Sequence, residues 1–133
     1  IFASTMLSIS NFLFHVLNFK LMNSLRNSVQ LIGHLGKDPE IITLEKGKKL
    51  ARVSIATNES YTSSNGEKVK NTSWHNVVAW DNKAEFMDKF LKKGNEVALK
   101  GRLAHRSYED KTGVTKYISE IIVNEIVKLG KDA

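Results

Sequence analysis

Thr72-Ser73-Trp74-His75-Asn76-Val77-Val78-Ala79-Trp80, followed at once by Asp81-Asn82-Lys83-Ala84-Glu85-Phe86-Met87-Asp88-Lys89-Phe90-Leu91, contains the change of period that decides the fold. The first nine residues are rich in aromatic and β-branched side chains and suit a strand, in which Trp74, Asn76 and Trp80 share one face and His75 takes the other. Phe86, Met87, Phe90 and Leu91 then recur at helical spacing, which predicts a short helix within Asn82 to Lys93. Asn82 with Glu85 fits a capping box, and Gly94 fits a C-terminal glycine stop.

Period two governs the sequence on both sides. Upstream, Ser28 to Leu35 predicts a first strand, with Gly33 marking a bulge or a sharp bend and Gly36-Lys37-Asp38-Pro39 a turn. A second strand alternates Ala51, Val53 and Ile55 with Arg52, Ser54 and Ala56, and runs towards Tyr61. Ser63-Ser64-Asn65-Gly66 predicts a flexible hairpin loop before the third strand. Downstream, Glu96 to Tyr108 predicts a fourth strand with Val97, Leu99 and Leu103 inward. Asp110-Lys111-Thr112-Gly113 turns into a fifth, about Lys116 to Val127. Three strands, a short helix and two more strands match an all-β, five-stranded Greek-key barrel of the OB type.

Composition narrows the partner. The chain has 133 residues, room for one main domain, and no cysteine, which excludes a disulfide framework, Cys-based zinc and a thiol nucleophile. Twenty Lys and Arg against 14 Asp and Glu give +6, which favours a polyanion, nucleic acid ahead of membrane. With Val97, Leu99 and Leu103 inward, Lys100, Arg102, Arg106 and Tyr108 face outward. Beside Trp74 and Trp80 they form a basic, aromatic surface that suits single strands, because every base offers a π-face. The alternative makes both tryptophans core and the cations merely solvated, and a bulge between Trp74 and Trp80 would void the parity.

Val29-Gln30-Leu31-Ile32-Gly33-His34-Leu35-Gly36-Lys37-Asp38-Pro39-Glu40 closely resembles the opening signature of bacterial single-stranded DNA-binding proteins, the SSB family. Three further stretches are similar in the same order: Ile55 to Tyr61, Thr72 to Val78, and Leu91-Lys92-Lys93-Gly94. The resemblance covers about Ser24 to Lys128. It implies a homotetramer that wraps single-stranded DNA in replication, repair and recombination, and a cytoplasmic, nucleoid-associated location. It also implies base stacking on Tyr61, Trp74, Trp80 and Tyr108. Lys68, Lys70, Lys100, Arg102 and Arg106 are expected at phosphates. His75, Val29 and Leu31 are expected at the subunit interface, although the inward parity of His75 equally fits a core histidine.

No enzyme, cofactor or metal role is expected. His34, His75, His105, Asp81 and Glu85 form no recognisable metal-ligand spacing, and no Ser-His-Asp or phosphate-loop arrangement appears. The nearer rival is another OB-type binder of primosomal or RNA-binding kind.

Residues 1–21 differ from the rest: 13 are apolar, Lys20 is the only charge, and no apolar run is longer than three residues, the length of Phe12-Leu13-Phe14. The expectation is upstream translation or a poorly ordered extension, with residues 22–133 as the binding domain. Neither a membrane span nor a secretory or mitochondrial signal fits. Many relatives end in a Gly/Pro/Gln-rich linker with an acidic tip. Here Pro39 is the sole proline and the sequence ends Lys131-Asp132-Ala133, so recruitment of proteins through such a tip is not expected.

Overall fold

A computed structural model describes residues 2–130. Six strands form one sheet: β1 (Val29–Leu35), β2 (Glu40–Thr43), β3 (Lys49–Thr62), β4 (Lys68–Trp80), β5 (Glu96–Glu109) and β6 (Thr115–Leu129). Helix α1 (Phe2–Arg26) precedes them, and α2 (Asp81–Phe90) joins β4 to β5. The order β1-β5-β6-β4-β3-β2 closes on itself because β1 also pairs with β3. The pairs are antiparallel except β4–β6, which run parallel at Val77↔Ile121 and Val78↔Ile122.

Closure rests on a glycine. β1 pairs with β5 from Val29↔Gly101 to His34↔Glu96, then turns to meet β3 at His34↔Ala56 and Leu35↔Ile55. At the bend a Cβ on Gly33 would lie 2.3 Å from the Ala56 carbonyl oxygen. Only glycine lets the two backbones approach so closely. Of the bulge or sharp bend expected at Gly33, no bulge interrupts the β1–β5 register; the glycine serves the close approach to Ala56 where pairing passes from β5 to β3.

The core follows the alternation. Ala51, Val53 and Ile55 of β3, Val77 and Ala79 of β4, Val97 and Leu99 of β5, and Ile121 and Val123 of β6 are buried together. Ala84 and Met87 of α2, with Leu91, close one end of the barrel. Full burial of a side chain such as Met87 or Ile55 is worth roughly 1.5–3 kcal/mol.

Within the barrel and its connecting helix, four features depart from the sequence-based expectation. β2 is a sixth strand, absent from that scheme because Glu40-Ile41-Ile42-Thr43 is short and does not alternate; it pairs with β3 from Glu40↔Arg52 to Thr43↔Lys49. Helix α2 stops at Phe90, and Gly94 lies in the turn beyond, where its amide donates to the Leu35 carbonyl at 2.8 Å. No side-chain cap bond forms at the start of α2, and Glu85 instead faces Lys49 at 3.8 Å. Leu103 is 39% exposed although its row, Val53↔Val77↔Ile121↔Leu103, is the core row. β1 ends opposite Gly101, so nothing from that strand covers Leu103.

The edge at Leu103 is finished by a side chain. Asn27 Nδ2 donates to the Leu103 carbonyl at 2.9 Å, and the Leu103 amide donates to Asn27 Oδ1 at 2.8 Å. Asn27 thus continues the β1–β5 register, with its amide group imitating a peptide. Just before it, α1 occupies a stretch for which the sequence pattern assigns no element. Residues 2–26 contain no glycine or proline, which permits an unbroken helix. Ile9, Phe12, Leu17, Leu21 and Leu25 on it are exposed. Among the described residues no helix is long and apolar enough to cross a membrane.

The β5–β6 hairpin turns on Asp110. Its Oδ1 accepts from Thr112 Oγ1 at 2.6 Å, the Thr112 amide at 2.9 Å and the Val114 amide at 3.0 Å. The Thr112 hydroxyl foremost, then the Val114 amide, hold this carboxyl below its ordinary value of 3.8. A lowered folded-state pKa means that its support of the turn is complete above the unfolded value. That support is lost as pH falls through the folded one. The Thr112 and Val114 amide shifts, followed by NMR, should therefore titrate with a midpoint below 3.8, and Thr112→Ala should raise that midpoint. A wild-type midpoint at or above 3.8 would contradict the bonded turn.

Candidate nucleic-acid interface

β3 and β4 pair without a break from Leu50↔Trp80 to Thr62↔Lys68. No bulge falls between Trp74 and Trp80, so both leave the hairpin on the same face, opposite buried Val77 and Ala79. Trp74 is 63% exposed and Trp80 38%. Lys68 and Lys70 share their parity and are exposed. Tyr61, paired with Val69, has the parity of Val53 and Ile55 and leaves the hairpin on the other face, also exposed.

The Trp74 ring lies on the turn after β1. A Cβ on Gly36 would meet its Cζ3 at 2.3 Å and its Cη2 at 2.9 Å. The missing side chain of Gly36 is therefore what lets the six-membered edge of the indole approach the turn while most of the residue meets solvent.

Beside Trp74 the outer face is built row by row. Arg52↔Val78, Val78↔Ile122 and Ile122↔Arg102 give one row across β3, β4, β6 and β5, with an arginine at each end and buried Val78 between them. The next row includes Ser54↔Asn76 on β3 and β4 and Glu120↔Ala104 on β6 and β5. A groove runs here, lined by Lys37, Arg52, Ser54, Asn76, Arg106 and Glu120 among others. Arg106 Nε donates to Glu120 Oε1 at 2.8 Å, and its guanidinium carbon lies 5.9 Å from the Tyr108 ring centre. A guanidinium over a ring face is an attractive contact that helps fix the ring.

The structure brings Trp74, Arg52, Arg102, Arg106 and Tyr108 onto one outer surface, with Trp80, Lys68 and Lys70 on the same face of β4. It does not bring Lys100 there. Lys100 lines a separate groove with Gln30, Ile32, Glu125 and Val127. His75 is half-buried and shares a hydrogen bond with Thr57 Oγ1 at 2.9 Å through Nε2. It lines a third groove with Trp74, Leu103 and Tyr117 at the uncovered end of the core row. Val29 and Leu31 point inward and pack against the core, so the exposed apolar side chain of β1 is Ile32.

Three residues of this surface escape the sequence reading. Arg52 carried a signal, since it alternates with the inward Ala51 and Val53. Lys37 looks only like turn chemistry until β1 and β3 are seen to converge. Glu120 gives no local sign of its role, because its partner is a diagonal neighbour on the adjacent strand.

With that geometry in view, a family description matches residues 26–129: the single-strand binding protein family. A single-stranded DNA-binding protein 1 of Chlorobaculum tepidum is 42% identical over 105 residues, covering 78% of this chain and 65% of that protein. One from Xylella fastidiosa is 40% identical over 106 residues, covering 79% of this chain and 78% of that protein. The chain spans 60–65% of the length of the first curated relatives that it matches. Among solved structures, the Plasmodium falciparum SSB complex with ssDNA superposes with a TM-score of 0.73 at 35% identity. That match covers 78% of this chain and 95% of the other.

The seat of Trp74 on Gly36 can be tested without a ligand. Gly36→Ala should displace the indole and leave the barrel folded, because the clash is with the end of an exposed side chain and not with backbone. Tryptophan emission and its anisotropy should change while the far-ultraviolet circular dichroism stays as in the wild type. Unchanged emission would mean that the ring does not rest on this turn.

Proposed function

Because the chain belongs to the single-strand binding protein family, whose members are non-enzymatic DNA-binding proteins, we propose that it binds single-stranded DNA on the Trp74 face. One observation carries this reading: two tryptophans on one face of an unbroken hairpin are exposed where a core role would bury them. Bases stack on Trp74, Trp80 and Tyr108, with Tyr61 engaging from the other face of the same hairpin. Lys68, Lys70 and Arg102 meet phosphates, joined by Lys37 and Arg52 along the groove. Such binding tolerates sequence and protects single strands exposed during replication, repair and recombination, in the cytoplasm at the nucleoid.

Assembly into a homotetramer belongs to the same proposal. The edge of β1 from Val29 to Ile32 that faces away from β5 has no strand partner among the described residues, and an open edge invites pairing. Ile32 and Val127, exposed on the barrel wall beside Lys100, offer apolar surface for a second copy. His75 and Tyr117, at the uncovered end of the core row, offer a further contact.

Two classes of variant should differ in kind. Trp74→Ala should lose about 1–3 kcal/mol of affinity for oligo(dT) at every salt concentration, with the dependence on salt retained. Arg102→Ala should instead reduce the slope of log K against log salt by about 0.7, with its largest effect in dilute buffer. Fluorescence titration at several salt concentrations separates the two. Normal binding by both variants would defeat the proposed face. Sedimentation should give a tetramer at micromolar concentration, and Ile32→Glu should shift it towards smaller species. A wild-type monomer would defeat the assembly.

A further inference from the structure

Glu120 is the buried charged side chain of the described barrel, at 9% exposure, and it lies on the outer face in a groove that also holds Lys37, Arg52 and Arg106 and the acids Asp38 and Glu40. A carboxylate taken out of water needs a partner, and breaking such a pair leaves an uncompensated buried charge. Its partner is Arg106, bonded through Nε at 2.8 Å while 43% of the arginine side chain stays exposed. The bond to Glu120 uses Nε, and the guanidinium carbon lies 5.9 Å from the Tyr108 ring centre, so the terminal N–H groups are not the ones that hold Glu120. By contrast, no carboxylate pairs with Arg102, Lys68 or Lys70 among the described residues.

We propose that Glu120 is a positioning residue that makes Arg106 a fixed, charge-compensated hydrogen-bond donor beside Tyr108, and not a counter-charge for the phosphate chain. The inference rests on the single-stranded DNA-binding reading above. A free surface cation acts by displacing condensed counterions from the nucleic acid, and each one steepens the salt dependence. Arg106 already has a buried counter-charge that it cannot leave without exposing Glu120 to the cost of solitary burial. Its remaining N–H groups can donate to a phosphate or base oxygen at a set place, but the pair contributes no net positive charge to the encounter. Arg106 then resembles Arg102 in sequence and differs from it in electrostatic role.

Oligo(dT) titrations of the full chain at several salt concentrations test this, using Glu120→Gln and the double variant Arg106→Ala/Glu120→Gln. Glutamine keeps an oxygen for Nε and removes the charge. Glu120→Gln should therefore steepen the log–log slope by about 0.7, an extra fivefold change in affinity for each tenfold change in salt. The double variant should keep the wild-type slope, because an uncharged pair replaces a compensated one. A wild-type slope in Glu120→Gln, or a slope flattened by about 0.7 in the double variant, would overturn the inference. If Glu120→Gln alone fails to fold by circular dichroism, the double variant decides, since it leaves no buried charge. Failure of the wild type itself to bind oligo(dT) would bring down the underlying reading and this inference with it. Binding with the wrong slopes would bring down this inference alone.

Discussion

The unbroken ladder between β3 and β4 is the constraint on which the rest of the molecule depends. Over thirteen consecutive pairs each residue keeps one face, so the same strands can bury Ile55 and Val77 while presenting Trp74 and Lys70. A one-residue slip would exchange the two sets, placing indoles in the core and valines in water. Barrel closure and the outer surface are therefore joint outcomes of one register. The parallel junction of β4 with β6 carries that alignment across to β5, which is how Arg52 and Arg102 come to flank the same pair of apolar side chains.

Much of this was legible because period two is a local property. The first strand, the helix between β4 and β5, the inward set Val53, Ile55, Val97 and Leu99, and the shared face of the tryptophans all follow from spacing within single elements. What could not be read depends on where strands end and which strands meet. Leu103 has the parity of the core, yet it projects beyond the end of β1 and stays half-open. Val29 and Leu31 point inward, so the exposed apolar residue of that strand is Ile32. Lys100 shares parity with Arg102, but the β5–β6 register shifts between Lys100 and Gly101, and Lys100 lines a separate groove with Ile32 and Val127. In a barrel, parity tells inside from outside and says nothing about which side of the outside.

Charge shows the same gap between count and place. A formal +6 describes the whole chain, but its cations are not equivalent. Lys49 faces Glu85, Lys116 faces Asp110 and Arg106 is tied to Glu120. Exposed pairs of the first two kinds are weak and yield to competing anions at little cost. The third is anchored by burial of its acid. Net charge thus fixes the sign of the long-range field, whereas local pairing decides which cations respond to an approaching anion.

Asn27 extends the logic of the ladder past the end of the backbone that forms it. Its side-chain amide takes both hydrogen-bonding groups of Leu103, the two that another strand would need in order to add at this point. It therefore acts as a stopper, ending sheet growth at the uncovered rim without spending a further residue of strand. The hydrogen-bonded barrel accordingly begins at Asn27 and not at Val29, where regular strand begins. A fragment trimmed to Val29 would expose an unprotected rim next to half-open Leu103, and rims of that kind recruit neighbouring chains into aggregates.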